Sequence, residues 1–177
     1  MNAPLFLFFC LISSETICKK PNQKELQNRL VQACEEKNAR NFLKLLKKGA
    51  RAEIPDQHGT LPLHWALIHG NIEIVLWYMT QFPQCLNHKD KNGNTALSTL
   101  AIDYEARDHF NIFLLLDLIR YGARPRSIDT LAALFYENQQ AAEIFQKHGA
   151  SLNNGHRALL DNKKDNFSIL HYAMQHS

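Results

Sequence analysis

The sequence contains few of the residues that interrupt or cross-link a chain. Of its 177 residues, 7 are glycine, 6 are proline and 4 are cysteine. This scarcity excludes collagen-like and proline-rich low-complexity chains, as well as small scaffolds built mostly from tight turns. With 45% apolar and 21% charged residues, the chain can bury a sizeable core and is not expected to be disordered. The composition therefore predicts a folded and mostly helical protein.

The cysteines do not form a recognisable metal-binding or disulfide framework. Cys10, Cys18, Cys34 and Cys85 include no CxxC pair, and no two of them accompany a histidine pair at zinc-finger spacing. A chain of this length does not need disulfides to fold. We therefore expect reduced thiols and a cytoplasmic location, with Cys34 and Cys85 serving as small buried apolar side chains.

The sequence has no strong excess of either charge. Its formal net charge is +3, and the basic residues are concentrated in residues 19–53, where ten Lys and Arg face four Asp and Glu. Such a segment can attract nucleic acid or an anionic membrane. Here the lysines are interleaved with the apolar residues of 42–46, which favours a solvated helix face. We do not expect nucleic-acid binding, and a nucleic-acid or lipid binder using this segment remains an alternative.

Two segments of the chain repeat each other at a fixed distance. Residues 56–66 (DQHGTLPLHWA) and 90–97 (DKNGNTAL) place Asp over Asp, Gly over Gly and Leu over Leu at an offset of 34 residues. Each copy is followed by apolar residues at helical spacing. A constant period of this size predicts an array of stacked units, each a turn and two helices.

A second marker closes most of these units. Gly-Ala pairs at 49–50, 122–123 and 149–150 follow apolar helices whose last turns carry Lys, Arg or His. Glycine in this position is the expected left-handed helix terminus, and basic residues there complement the negative helix end. In the remaining unit Phe82-Pro83 occupies the position of the pair, so proline ends that helix.

Together these motifs resemble the ankyrin repeat, with its pattern DxxGxTPLHxA followed by an apolar helix and LLxxGA. The copy at 56–66 keeps most of that pattern, the copy at 90–100 keeps less, and a late copy at 166–173 (NFSILHYA) has Asn in the Gly slot. The resemblance implies an all-α fold, an ankyrin-type α-solenoid of about four to five helix-turn-helix repeats with short hairpin fingers.

We expect an apolar N-terminal segment at 1–21 and an ankyrin-repeat domain at 22–177. Within the domain, the Leu-to-Gly spacing indicates about six extra residues near 102–109 in the third unit, and too few residues follow Gly122 for a full finger. The predicted units are a capping repeat at 22–52, a repeat at 53–85, a repeat with an insert at 86–123, a repeat with a shortened finger at 124–150, and a partial last repeat at 151–177.

The N-terminal segment contains the apolar run LFLFFCLI at residues 5–12. Eight residues are too few to cross a bilayer, which takes about 20. The run has the length of a signal-peptide core, but no positive charge precedes it, and Lys19 and Lys20 follow it. An export signal, a short anchor, a helix that caps the first repeat, and an extension from an upstream start codon are the alternatives.

The resemblance implies a non-catalytic protein-binding module that contacts its partner through the concave surface of fingers and first helices. Trp77 is interpreted as a core residue, whereas Trp65 follows the TPLH slot and borders the groove. Beside the insert, Ile102 and Asp103 are further candidates. The predicted partner-binding residues are Gln57, His58, Thr60, Trp65, Ile68, His69, Lys91, Asn92 and Asn94.

No chemistry-bearing motif competes with this interpretation. GxSxG, HExxH, P-loop and GxGxxG patterns are absent from the sequence. In the family, the histidine of the TPLH slot hydrogen-bonds adjacent turns, and His64 and His171 occupy that slot. His58 and His69 are predicted on one surface but lack a third ligand at suitable spacing. We therefore predict no enzyme activity, cofactor or metal.

The expected partner is a protein, and a membrane contact is expected only for the N-terminal segment. Two alternatives remain for the function. The irregular repeats also suit an effector-type ankyrin protein that an intracellular bacterium or virus secretes or delivers into a host cell. The end at Ser177, inside the first helix of a predicted repeat, would suit an ankyrin fragment of a larger protein.

Overall fold

The computed structural model describes residues 22–102 and 109–153, together with Arg157 and Leu160. Within this part of the chain the regular structure is helical and contains no β-strand, which confirms the predicted all-α class. The helices are α1 (Gln23–Glu35), α2 (Ala39–Lys47), α3 (Pro62–Ile68), α4 (Ile72–Gln81), a 3₁₀ helix (Pro83–Asn87), α5 (Ala96–Ile102), α6 (His109–Arg120), α7 (Ser127–Phe135) and α8 (Gln139–Lys147).

The α-helices form four consecutive hairpins that stack in two rows. The first helices of the hairpins pack in the order α1, α3, α5 and α7, and each packs against its own second helix. In the second row, α2 packs on α4 and α6 packs on α8. This arrangement of one hairpin per unit of about 33 residues is an ankyrin-type solenoid, as predicted.

Three of the hairpins reverse in the same way. A residue with positive φ ends the first helix, and the asparagine that follows caps the second helix by accepting a hydrogen bond from the backbone N–H three residues later. The pairs are Lys37-Asn38, Gly70-Asn71 and Glu137-Asn138. Because two of the three positive-φ residues are not glycine, the sequence pattern reveals only the middle reversal, and the asparagine is the more regular marker.

The ends of the second helices match the sequence prediction. Gly49, Gly122 and Gly149 all have positive φ, between 94° and 108°, which confirms the left-handed helix terminus. Helix α4 instead ends before Pro83, where the 3₁₀ helix begins.

The core lies between the two rows of helices and is made mostly of leucine and alanine. Leu30, Leu63 and Leu97 of successive first helices are all buried, and the small alanines beside them let the helices approach closely. Tyr78 is fully buried and donates a hydrogen bond from its hydroxyl to the Ala52 carbonyl at 2.8 Å, so the polar atom of this large side chain is satisfied.

Two cysteines and one tryptophan also occupy predicted positions. Cys34 and Cys85 are buried and form no disulfide, as expected for small apolar side chains. Trp77 packs against the core and contacts the Phe42 ring edge-on at 5.3 Å, but it is only half-buried. It therefore belongs partly to the core and partly to the outer side of the second helices.

Several predictions fall on residues outside the described part of the chain. They concern the N-terminal segment 1–21, the insert at 103–108, and the late copy at 166–173 with His171. Among the described residues, no helix has both the length and the apolar character needed to cross a membrane.

Candidate functional site

Two finger loops project from the ends of the second helices, and each is closed around an aspartate. We call residues 56–60 the second finger and residues 90–94 the third finger, after the repeats they open. Asp56 Oδ1 accepts the backbone N–H of His58 and of Thr60, at 2.7 and 3.0 Å. Asp90 binds the equivalent N–H groups of Asn92 and Asn94, both at 2.8 Å. The shared DxxG pattern thus builds two identical loops.

The tip of each finger requires a left-handed residue. Gly59 and Gly93 have φ of 71° and 80°, a region that side chains other than Asn and Asp rarely adopt. The backbone closes across each tip, from Asp56 N to the Thr60 carbonyl at 2.9 Å and from Asp90 N to the Asn94 carbonyl at 2.9 Å. The turn assignment made from the sequence is therefore confirmed.

Histidines connect the two fingers. The Lys91 ammonium donates to His58 Nδ1 at 3.2 Å, and the Gln57 amide lies 3.3 Å from the other ring nitrogen. His88 Nε2 lies 3.2 Å from the Gly59 carbonyl, which can only accept. Three of the predicted partner-binding residues, Gln57, His58 and Lys91, therefore form one polar chain across the finger tips.

The second finger continues directly onto helix α3. The Trp65 indole N–H donates to Asp56 Oδ2 at 3.1 Å, and the Trp65 ring stacks on the His69 ring with centroids 6.1 Å apart and planes at 13°. Ile68 lies one helical turn beyond Trp65 and is 48% exposed. The carboxylate and the stacked imidazole fix the tryptophan, so finger and helix present one continuous surface.

Counting back from the capping asparagines shows which residues of the other repeats are equivalent to Trp65, Ile68 and His69. Trp65, Ile68 and His69 precede Asn71 by six, three and two residues. The same count from Asn138 gives Ala132, Phe135 and Tyr136, and from Asn38 it gives Gln32, Glu35 and Glu36. In the third repeat, the 34-residue offset of the motif places Ile102 at the position of Ile68.

Sequence reasoning missed the aromatic pair of the fourth repeat. Phe135 and Tyr136 are half-buried, with ring centroids 5.6 Å apart, and they pack with Ile102 against Ile128 and Leu131. The signal that could have found them is Asn138, which sets the register without a TPLH motif. We define the inner surface as the second and third fingers together with Trp65, Ile68, His69, Ile102, Phe135 and Tyr136.

The predicted partner-binding residues differ in accessibility. Gln57, His58, Ile68 and Lys91 are exposed, and Trp65, His69, Asn92 and Asn94 are half-buried. Thr60 departs from expectation, because it is 7% exposed and its N–H is bound to Asp56. It therefore supports the finger and offers little surface to a partner.

His64 is buried where the two fingers meet the first helices. Its ring lies edge-on to that of His88, 6.1 Å away, and neither ring nitrogen forms a hydrogen bond to a described residue. The backbones of His88 and Asn94 nevertheless lie close enough to the ring to favour its charged form, so these adjacent turns are where the bonds expected of the TPLH histidine would form. Burial lowers the pKa of His64, and the Asp90 carboxylate and the backbone of Asn94 oppose that shift only in part. A neutral imidazole is favoured at this site.

The fourth repeat is attached without a finger. Arg126 Nη2 donates to Asp129 Oδ1 at 2.7 Å and to the Gly93 carbonyl at 3.0 Å, and Asp129 is fully buried. Asn87 donates to the Gly122 carbonyl at 2.9 Å and accepts the Arg124 N–H at 2.8 Å. Side chains thus bridge the repeats at both junctions, from His88 and Lys91 between the two fingers and from Arg126 and Asn87 where the finger is missing.

The second helices also expose apolar side chains, which sequence reasoning did not identify. Leu43 on α2 is 38% exposed, Leu76 on α4 is 47% exposed and Phe113 on α6 is 66% exposed. A shallow apolar groove between α2 and α4 is lined partly by Leu43 and Trp77. We call Leu43, Leu76, Trp77 and Phe113 the outer surface. Leu43 and Leu76 each precede the end-of-helix marker by six residues, but Leu116 at the same spacing in the third repeat is half-buried, so the spacing alone does not identify exposed residues.

The described residues contain no group of three His, Cys, Asp or Glu side chains placed to hold a metal ion. His58 and His69 both border the inner surface, but their hydrogen-bond and ring partners are Lys91, Gln57 and Trp65. The inner surface has polar side chains on the fingers and apolar side chains along the helices.

A comparison with protein families agrees with this geometry. The family model described as ankyrin repeats (3 copies) matches residues 30–129, which is 100 of the 177 residues. The chain belongs to the ankyrin-repeat family. The matched residues include both fingers and the Trp65–His69 segment of this ankyrin array. Ankyrin repeats are in general protein-interaction modules that act without catalysis, and their stacked units offer extended binding surfaces.

Proposed function

We propose that this ankyrin array binds a segment of a partner protein on its inner surface. The observation that carries the proposal is the continuous surface from the second finger through Trp65, His69 and Ile68. On this surface a strongly exposed apolar side chain lies beside an aromatic side chain that is already fixed.

The fixed tryptophan favours binding in two ways. Tryptophan is enriched among the residues that dominate interface energies. Its hydrogen bond to Asp56 and its stacking on His69 hold one side-chain conformation before a partner arrives, so less conformational entropy is lost on binding. Ile68, at 48% exposure, adds apolar area that a partner can remove from water.

The finger tips supply the polar rim of this surface. Gln57, His58 and Lys91 are exposed and joined by hydrogen bonds. The side-chain amide of Asn92 forms no hydrogen bond within the described residues and can donate and accept. An apolar centre with a polar, water-accessible rim is the usual organisation of protein interfaces.

Ile68 on the inner surface and Leu76 on the outer surface of the second repeat provide a matched test. Ile68 on α3 is 48% exposed and Leu76 on α4 is 47% exposed, so arginine at either position has a similar cost to folding. A partner is isolated with the full chain and purified, and its Kd is measured by calorimetry for wild type, Ile68→Arg and Leu76→Arg. We expect Ile68→Arg to raise Kd about 30-fold or more, whereas Leu76→Arg changes it less than about threefold.

The opposite pattern would contradict the proposal. If Leu76→Arg abolishes binding and Ile68→Arg does not, the partner occupies the outer surface. Circular dichroism and thermal unfolding of both variants verify that the fold is intact. A triple alanine variant at His58, His69 and Asn92 extends the test to the polar rim, where weaker binding with unchanged helix content is expected.

We propose a cytoplasmic location, with which the unpaired thiols of Cys34 and Cys85 are compatible. Burial is the largest cause of the raised pKa of both Cys34 and Cys85, so neither is activated for disulfide exchange at neutral pH. Fluorescent fusions of the full chain and of residues 22–177 test this location. Both are expected to remain in the cytoplasm, and export of the full chain would contradict it.

A further inference from the structure

We propose that the partner segment is acidic and carries bulky apolar side chains three residues apart. The inference rests on the proposed function and concerns the same inner surface. It follows from the charges that surround the apolar row and from the spacing of the first helices.

Among the described residues, the carboxylates in the connections between repeats and the one in the first turn of α7 are engaged within the chain. Asp56 and Asp90 bind the backbone N–H groups of their own fingers. Asp129 pairs with Arg126 at 2.7 Å, and Glu53 pairs with Arg51 at 2.8 Å. Glu53 and Asp129 are therefore balanced by arginines, whereas Asp56 and Asp90 keep their charge but direct their oxygens at N–H groups of their own repeat.

The cations of the same connections are not neutralised in this way. Lys89 and Lys91 flank Asp90 in the third finger region, and Arg124 lies in the short connection to the fourth repeat. All three are exposed, and none belongs to an ion pair among the described residues. Lys91 uses one donor on His58 and retains two others. The three cations outnumber the two carboxylates of the fingers, Asp56 and Asp90, so the described rim has a formal net charge of +1, and its exposed charged side chains are cations.

The charged side chains of the first helices determine which repeats an acidic segment can cover. In the described residues, α3 and α5 contain no charged side chain, and the only one in α7 is the buried Asp129. The equivalent positions of the first repeat are Glu35 and Glu36, which would repel an acidic segment. The segment therefore lies over the second, third and fourth repeats.

The spacing of the helices sets the spacing of apolar side chains in the partner. Packed helices lie about 8 to 10 Å apart. A polyproline-type segment has three residues per turn and rises about 3.1 Å per residue, so side chains three residues apart lie about 9 Å apart on one face. Successive apolar side chains can then contact Ile68, Ile102 and Phe135. Its backbone, which has no internal hydrogen bonds, can bind the Asn92 amide.

Four fluorescent peptides test the inference against the full-length chain by fluorescence anisotropy. The first carries leucine at every third position and Asp or Glu between, and the second replaces every acid with lysine. The third keeps the acids and replaces leucine with serine, and the fourth moves leucine to every second position. We expect the first to bind at least about tenfold more tightly than the others, and more weakly as salt is raised.

Charge-reversal variants locate the contact. Lys91→Glu and Arg124→Glu are each expected to weaken binding of the first peptide about tenfold. Lys44→Glu, an exposed lysine on the second helix α2, is the matched control and should leave it unchanged. A DNA oligonucleotide of the same charge should compete poorly, because it lacks apolar side chains.

The outcomes separate this inference from the proposed function. Equal binding of the lysine peptide, effective competition by DNA, or no binding of the acidic peptide up to about 1 mM would overturn the acidic partner. The proposed function would survive if another partner still depended on Ile68. If the acidic peptide binds equally well to wild type and Ile68→Arg, the inner surface itself is wrongly assigned.

Discussion

The junction between the second and third repeats differs from the junction between the third and fourth. We call the junction between the second and third repeats the first junction, and the next one the second junction. At the first junction the two fingers lie side by side, each closed by a backbone hydrogen bond, and the His88 and Lys91 side chains connect them. At the second junction the fourth repeat has no finger, and Arg126 reaches the Gly93 carbonyl while its charge is balanced by the buried Asp129.

The difference shows that a solenoid can keep its helix stacking while changing what holds the loops. At the first junction the contacts between the fingers are shared by two separate side chains, His88 and Lys91, in hydrogen bonds of about 0.5–1.5 kcal/mol each. A buried ion pair concentrates the stabilisation, because removal of one partner leaves a charge without compensation in a poorly solvated site. The first junction should therefore tolerate single side-chain changes better than the second.

The largest effect is expected at the buried ion pair. Asp129→Ala should lower the free energy of unfolding by about 3 kcal/mol, since Arg126 loses its carboxylate while remaining largely enclosed. The matched control is Asp117→Ala, which breaks another (i,i+3) pair, with Arg120, that is largely exposed, and should cost less than about 1 kcal/mol. Urea unfolding measures both, and equal losses would show that the buried Arg126–Asp129 pair does not concentrate stability at the second junction.

The next effect concerns the left-handed tip of the third finger. Gly93→Val should cost about 2 kcal/mol, because a β-branched residue is forced to positive φ. Gly93→Asn should cost less, since asparagine adopts this conformation more readily. The comparison uses thermal unfolding, and an unaltered Tm for the valine variant would refute the role of this turn.

These residues also show what the sequence could and could not predict. Gly93 was predictable, because a loop that needs positive φ restricts the residue type and leaves a visible pattern. Arg126 and Asp129 were not, because an (i,i+3) pair of opposite charges has the same spacing whether it is exposed or buried. Phe135 was missed because the fourth repeat has neither a finger nor a TPLH motif. Exposure of Leu76 depends on neighbouring helices, which the repeat pattern does not specify.

A pH-dependent effect is expected at the first junction alone. Unfolded chains bind a proton on His64 near its ordinary pKa of about 6.5, whereas burial lowers the pKa in the folded protein. The unfolded state therefore binds more protons below that pH, and stability should fall as the pH is lowered from 7 to 5.

The fourth repeat itself supplies the control for this prediction, because Leu131 occupies the position of His64. His64→Leu should make stability less dependent on pH between 5 and 7, as measured by urea unfolding at several pH values. A variant whose stability falls with acid as steeply as that of wild type would remove His64 as the cause.

The smallest effect is expected for the side-chain bridge at the second junction. Asn87→Ala removes two hydrogen bonds to the loop before the fourth repeat, and should cost about 1 kcal/mol because the site is exposed. Gln84→Ala, also exposed and in the same 3₁₀ helix, serves as the reference and should have no measurable effect. If both substitutions behave alike, Asn87 does not fasten the loop.

The two tryptophans of the chain lie on different surfaces, so together they can show directly whether a partner binds the inner surface. Trp65 lies on the inner surface and Trp77 lines the outer groove. In the full chain labelled with 5-fluorotryptophan, each residue gives one fluorine resonance, assigned with Trp65→Phe and Trp77→Phe variants. If a purified partner binds the inner surface, the Trp65 resonance shifts on its addition while that of Trp77 does not. A shift of Trp77 with Trp65 unchanged would contradict binding at the inner surface.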